Sequence, residues 1–115
     1  MAVLSSHLLN GVDGTHAGNV AISLVKIASN GKRSLVFKKE SDEGGRFQEE
    51  VGVTSDAEYE MVISSGEYFA DREIPRNGMK ILHEIVVRFS MPVATGRYHI
   101  PVIMSPNSYS CWLSS

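Results

Sequence analysis

The sequence predicts an all-β fold, a sandwich or barrel of short strands, and two features carry that expectation. The first is dense turn punctuation: Asn10-Gly11, Asp13-Gly14, Asn30-Gly31, Gly44-Gly45 and Asn77-Gly78 are all turn dipeptides. The second is the filling between them, short runs rich in Val, Ile, Tyr and Phe, several of which alternate apolar and polar residues. Period-two alternation is the mark of a strand with one buried face. The 115 residues are 43% hydrophobic and 21% charged, an ordinary globular balance. No linker, charge block or repeat divides them, so the chain reads as a single domain over 1–115, large enough for a core of its own.

The elements follow in order. A first strand is expected near 2–9, with Leu4 and Leu8 on one face and Ser5 and His7 on the other. In 20–25, Val20, Ile22 and Leu24 form the apolar row, and another strand is expected near 33–38. In 58–64, Tyr59, Met61 and Ile63 oppose Glu58, Glu60 and Ser64. The helix candidate is 66–73, Gly-Glu-Tyr-Phe-Ala-Asp-Arg-Glu, with Pro75 and Gly78 as its stop. At that length it needs tertiary support. Then come 84–90, where Ile85, Val87 and Phe89 share a face, and strands near 97–105 and 109–113. In 97–104 the apolar row is Tyr98, Ile100, Val102 and Met104, which turns His99, Pro101 and Ile103 the other way. Pro101 has no N–H to give a ladder, so an edge or a bulge is expected there.

Composition excludes several classes. Net charge is −2, with no basic excess, so no nucleic-acid partner is expected. The single Cys111 cannot form an intrachain disulfide, and multi-cysteine metal motifs are absent from the sequence. Met-Ala-Val-Leu-Ser-Ser-His at the start has no basic residue, and no stretch reaches the ~20 apolar residues of a membrane span. The expectation is a cytoplasmic protein without membrane contact, with no cofactor and no metal.

Chemistry centres on histidine. His7 and His99 both fall opposite the core rows of their strands, and such a pair can act as general acid and base near neutral pH. The plain alternative is two unrelated strand histidines. Arg46 follows the Gly44-Gly45 turn, where a guanidinium can hold a carbonyl or carboxylate, or simply be solvated. His16 and His83 are read as turn or surface residues. Ser5, Ser6, Ser105 and Ser110 lack a nucleophile-elbow context. Cys111 is read as a small buried hydrophobe. Acid/base activation of water is the more economical chemistry.

Five segments resemble the transthyretin-like proteins, specifically their 5-hydroxyisourate hydrolase branch. Leu4-Ser5-Ser6-His7-Leu8-Leu9-Asn10 is similar to the opening motif, and Gly44-Gly45-Arg46 to the Asp-Gly-Arg turn. Ser65-Gly66-Glu67-Tyr68-Phe69 resembles Thr-Gly-x-Tyr-Phe at the start of the single helix. Glu84-Ile85-Val86-Val87-Arg88-Phe89 resembles the Pro-Glu-Ile-x-Val-x-Phe strand. The most specific match is Tyr98-His99-Ile100-Pro101-Val102-Ile103-Met104-Ser105-Pro106, similar to Tyr-His-Val-Pro-Leu-Leu-Leu-Ser-Pro. The resemblance implies a two-sheet transthyretin-like β-sandwich with one short helix, assembled as a homotetramer with sites between dimers. It implies hydrolysis of a ring amide in a small purine-derived substrate, with His7, Arg46 and His99 as the catalytic set and no cofactor.

The sequence also departs from that pattern. The hydrolases end in Tyr-Arg-Gly-Ser, and the matching positions here are Trp112-Leu113-Ser114-Ser115. Leu82-His83 stands where the family has Phe-Pro, and Asn10 where many members have Asp. Ser105, Trp112, Leu113 and Ser115 are expected to bind substrate. A tail that trades a hydroxyl and a guanidinium for apolar groups favours a ring carrying N-methyl groups. The rival is a non-catalytic carrier of a small aromatic ligand: the lost tail favours it, the retained histidines oppose it.

Overall fold

The computed structural model describes residues 1–72 and 78–114. Glu73, Pro75, Asn77 and Ser115, which entered the expectations above, lie outside them. The described residues form β1 (Ala2–Asn10), β2 (Ala21–Ile27), β3 (Arg33–Glu40), β4 (Arg46–Val51), β5 (Glu58–Ile63), α1 (Ser65–Phe69), β6 (Ile85–Phe89), β7 (Arg97–His99), β8 (Val102–Met104) and β9 (Tyr109–Cys111). They build two sheets, one ordered β4-β1-β8-β9 with β7 also paired to β1, the other β3-β2-β5-β6. The all-β sandwich with one short helix is therefore as the sequence predicts. No helix among the described residues is long and apolar enough to cross a membrane.

The alternation seen in sequence becomes the core. In β1 the even-numbered residues Ala2 to Asn10 are buried and the odd ones between them half-buried. Leu4 and Leu8 join Ile22 and Leu24 of β2, and Tyr59, Met61 and Ile63 of β5, in one cluster between the sheets. Each such side chain contributes roughly 1.5–3 kcal/mol when fully buried. Glu60 departs from its expected exposure. It is only 7% exposed. It is held by Arg33 of β3 and by Arg88 of β6, whose Nη2 donates to Glu60 Oε2 at 2.8 Å. The two guanidiniums, by hydrogen bond and by charge, keep its carboxyl below the usual range.

Three local expectations are corrected. The helix ends at Phe69, short of the expected 73. Lys80 donates to the Phe69 carbonyl, to that of Ala70 at 3.2 Å and to that of Arg72 at 2.6 Å, so a lysine later in the chain satisfies the carbonyls that further helical turns would have used. β4 had no place among the expected strands. Its Arg-Phe-Gln-Glu-Glu-Val is mostly polar, but Phe47 and Val51 alternate into the core while Glu49 meets Lys39 at 2.8 Å. Finally, 97–105 is two strands in one line, and Pro101 sits in the sheet interior rather than at an edge. Both parts pair with β1 in parallel and in the same register, Ser5 with His99 and Leu8 with Val102, so no residue is inserted. Ile100 N–H donates to Ser5 O at 2.9 Å, so the N–H that Pro101 lacks is one facing away from β1. Ser6 Oγ donates to Ile100 O at 2.6 Å at the break.

Candidate active site

Registers fix the site before any side chain is considered. β1 lies between β4 and the β7/β8 line. On its outer face His7 is opposite Arg46, and Ser5 is opposite Gln48 on one side and His99 on the other. The C-terminal tail adds a fourth strand. Val102 pairs with Cys111, His99 bridges to Ser114, and Ser114 N–H donates to His99 O at 2.8 Å. That register sets Trp112 opposite Pro101, which itself lies beside His7. Two cross-strand rows result: Arg46, His7, Pro101, Trp112, and next to it Gln48, Ser5, His99, Ser114. Neighbouring strands are about 4.8 Å apart, so each row spans roughly 15 Å.

The turn before β4 delivers Arg46. Gly45 has φ +78°, and a Cβ there would press on the Leu8 carbonyl, so glycine is required. Gly45 N–H donates to Asp42 O (2.9 Å), Arg46 N–H to Asp42 Oδ1 (2.9 Å), and Leu8 N–H to Gly45 O (2.6 Å). The turn is thus bonded to β1 one residue beyond His7.

Ser5, Asp42, Arg46, Gln48 and His99 line an open groove of about 360 Å³. His99 Nδ1 is 2.8 Å from Ser5 Oγ, which fixes its ring. His7 lies opposite Arg46 on the same face and is held below the ordinary histidine pKa. Burial is the main cause, followed by the positive charge of Arg46, then His16, with a smaller push from His99, against the Gly44 carbonyl that favours the charged form. A neutral His7 imidazole beside a guanidinium is suited to accept a proton while the guanidinium holds an anionic or carbonyl oxygen.

Of the expected residues, the fold brings His7, Arg46, His99 and Trp112 to one face. Leu113 is one step out of phase and falls with Cys111 on the opposite face. Ser105 lies past the far end of β8, where a Cβ on Gly11 would meet its Oγ at 2.9 Å. That is six residues from His99, about 20 Å of strand. Ser115 is outside the described residues. Two site residues escaped the sequence reading. Ser5 shared the phase of His7 but no feature of sequence tied it to His99. His16 reads in sequence as a turn or surface residue, and it lies 2.9 Å from His7 (His16 Nδ1 to His7 Nε2). The clustered turn residues from Asn10 to Gly14, which fold 15–17 back on β1, were the available signal. Among the described residues, no group of three or more His, Cys, Asp or Glu converges to hold a metal.

Comparisons with known proteins agree with this architecture. The family model described as "HIUase/Transthyretin family" matches residues 4–113. A 5-hydroxyisourate hydrolase from Halalkalibacterium halodurans is 26% identical over 97% of each chain. Among solved structures, an (S)-allantoin synthase superposes with TM-score 0.82 at 26% identity, over 99% of this chain and 44% of that one. Transthyretin from Sparus aurata superposes with TM-score 0.76 at 22% identity, over 97% of each chain.

Proposed function

The chain belongs to the HIUase/Transthyretin family, and from that membership we propose that it is a hydrolase opening a ring amide of 5-hydroxyisourate or of a close, N-methylated analogue. The observation that carries the reading is the cross-strand row of Arg46 and His7, with His99 beside it on the same face. Arg46 would hold a ring oxygen through paired donors. His7, neutral near pH 7, would take a proton from water as it adds to the amide carbonyl. His99, anchored by Ser5, would position that water and return a proton to the departing ring nitrogen. Water adds across the C–N bond, leaving a carboxylate and an N–H.

Trp112 supports the methylated analogue. It joins the row beside Pro101 and is 46% exposed, an apolar surface on the same face as Arg46 and His7. Each N-methyl buried against it would contribute roughly 1 kcal/mol. Ile103, on the same face, is also exposed. A second copy covering these groups is the basis for proposing a homotetramer, a dimer of dimers, as the working form. The cytoplasmic setting belongs to the same proposal and rests on Cys111 as a free thiol. A carrier of a small aromatic ligand is the rival, and exposed Trp112 is what favours it.

Turnover separates the two. Ultraviolet absorbance of freshly made 5-hydroxyisourate and of its trimethyl analogue should decay faster with protein than without. His7→Ala and His99→Ala should each lower the rate about 100-fold or more, the usual scale of a lost acid or base. Arg46→Ala should lower kcat/KM while leaving the fold intact, since Arg46 is exposed. Decay unaffected by the protein, with tight retention of the ligand, would make it a carrier. A preference for the unmethylated ring that Trp112→Tyr leaves unchanged would remove the methylated substrate.

A further inference from the structure

The loop between β1 and β2 brings His16 to the outer face, beside His7. Asn10 N–H donates to Thr15 O at 2.8 Å and Ala17 N–H to Leu8 O at 2.9 Å, so residues 15–17 run back along β1. Leu9 bridges to His16 in this return, which sets His16 diagonal to His7 on the outer face. The loop is braced from within. Asn10 Oδ1 accepts Val12 N–H at 2.8 Å, and Asp13 Oδ1 accepts Thr15 N–H at 3.0 Å and its hydroxyl at 2.7 Å. His16 Nδ1 is then 2.9 Å from His7 Nε2, with the ring centroids 4.9 Å apart.

We propose that His16 is a positioning residue of this site: it bonds His7 Nε2, fixes the orientation of that ring, and makes the two imidazoles a unit that carries at most one positive charge. This rests on the hydrolase reading and deepens it. An N···N contact of this length holds one proton, because two N–H groups aimed at each other repel. When His7 carries a proton on Nε2, His16 must offer a bare Nδ1 and keep its own proton on the far nitrogen. His16 therefore fills the place of the orienting third group behind a catalytic base, but without the negative charge of a carboxylate. It steadies His7. The groups that face His7 are Arg46 from β4, His99 from β7, His16 from the loop, and the Gly44 carbonyl from the turn. Asp42 stands in that turn with Oδ1 engaged by the Arg46 N–H. Charge from His16 opposes protonation of His7, in the same sense as Arg46.

The test compares wild type with His16→Ala and His16→Asn, whose amide can bond His7 Nε2 from the same position but cannot titrate. His16 is exposed, so both variants should fold. His16→Ala should lower kcat about 10-fold with KM within about 2-fold, a fraction of what the base itself contributes. The acid limb of its pH profile should shift, because the hydrogen bond between the two rings is gone. His16→Asn should recover most of kcat. Ring-nitrogen NMR should show the His7 titration displaced in His16→Ala, a readout that needs no turnover. Wild-type kcat, profile and His7 titration in His16→Ala would overturn the inference, as would His16→Asn no better than His16→Ala. If the wild type turns over neither substrate, the hydrolase reading fails, and the NMR titration alone decides the pairing.

Discussion

Replacing Gly45 by alanine tests whether the turn at 42–45 sets the register of the site. Three glycines share positive φ: Gly14 at +79°, Gly31 at +87° and Gly45 at +78°. A Cβ at Gly14 or Gly31 meets nothing within 4 Å. There the cost is backbone strain alone, roughly 1–2 kcal/mol for a left-handed residue with a side chain. At Gly45 the same strain applies, and the new Cβ would also fall inside 3.0 Å of the Leu8 carbonyl oxygen and 3.1 Å from Ala17 N. Both are backbone atoms of the bonded return to β1, so neither can swing aside. Moving the turn away sacrifices the Leu8 N–H to Gly45 O bond, about 1 kcal/mol net and more if the groups stay dry. The expected loss for Gly45→Ala is therefore about 3 kcal/mol or more, against about 1 for Gly31→Ala. Urea unfolding of both variants and of wild type, at one protein concentration, measures the difference. Because the turn hands Arg46 to its place beside His7, turnover should fall in Gly45→Ala under conditions where it is still folded, and not in Gly31→Ala. Equal midpoints for the two variants would refute the close-approach reasoning. Full activity in a destabilised Gly45→Ala would refute the link from turn to site.

Other expectations follow from single groups. His7 is held below the ordinary histidine value near 6.5, so the proposed base is neutral at pH 7; kcat/KM should hold through neutrality and fall only as pH drops through that lowered pKa. Glu60 is depressed by Arg33 and Arg88, so its stabilisation is present above the ordinary carboxylate range and lost as pH falls through its own lower value; Glu60→Gln should flatten the acid side of stability measured by urea midpoints. Ser41→Ala should cost about 2 kcal/mol or more in urea unfolding, because Ser41 Oγ donates to Ala17 O (2.8 Å) and accepts Val20 N–H (3.0 Å) inside the protein, and both would be left unpaired. Sedimentation at micromolar concentration should find a tetramer, and Trp112→Glu should weaken it by placing a charge on the face proposed to be covered.

The sequence by itself determined the class of fold and the phase of its strands. Alternation is a local property, so Leu4 and Leu8, or Tyr59, Met61 and Ile63, are sorted to one face without knowledge of their partners. The same phase put His7 and His99 on the outer face. Partners are another matter. Glu60 shares the polar phase of β5, and only the strands beside it supply the two arginines that let it be buried. β4 is too polar to announce itself, and becomes a strand because β1 offers a ladder and the core accepts Phe47 and Val51. Pro101 looked like an edge, but a proline interrupts one ladder only, and β1 keeps its register past it. The site was legible as three residues far apart in sequence. That His7 faces Arg46, that Ser5 holds His99, that Trp112 joins the row while Leu113 leaves it, and that His16 reaches His7, all depend on strand order and register. Those are set by closing long loops between distant segments, and local chemistry does not encode them.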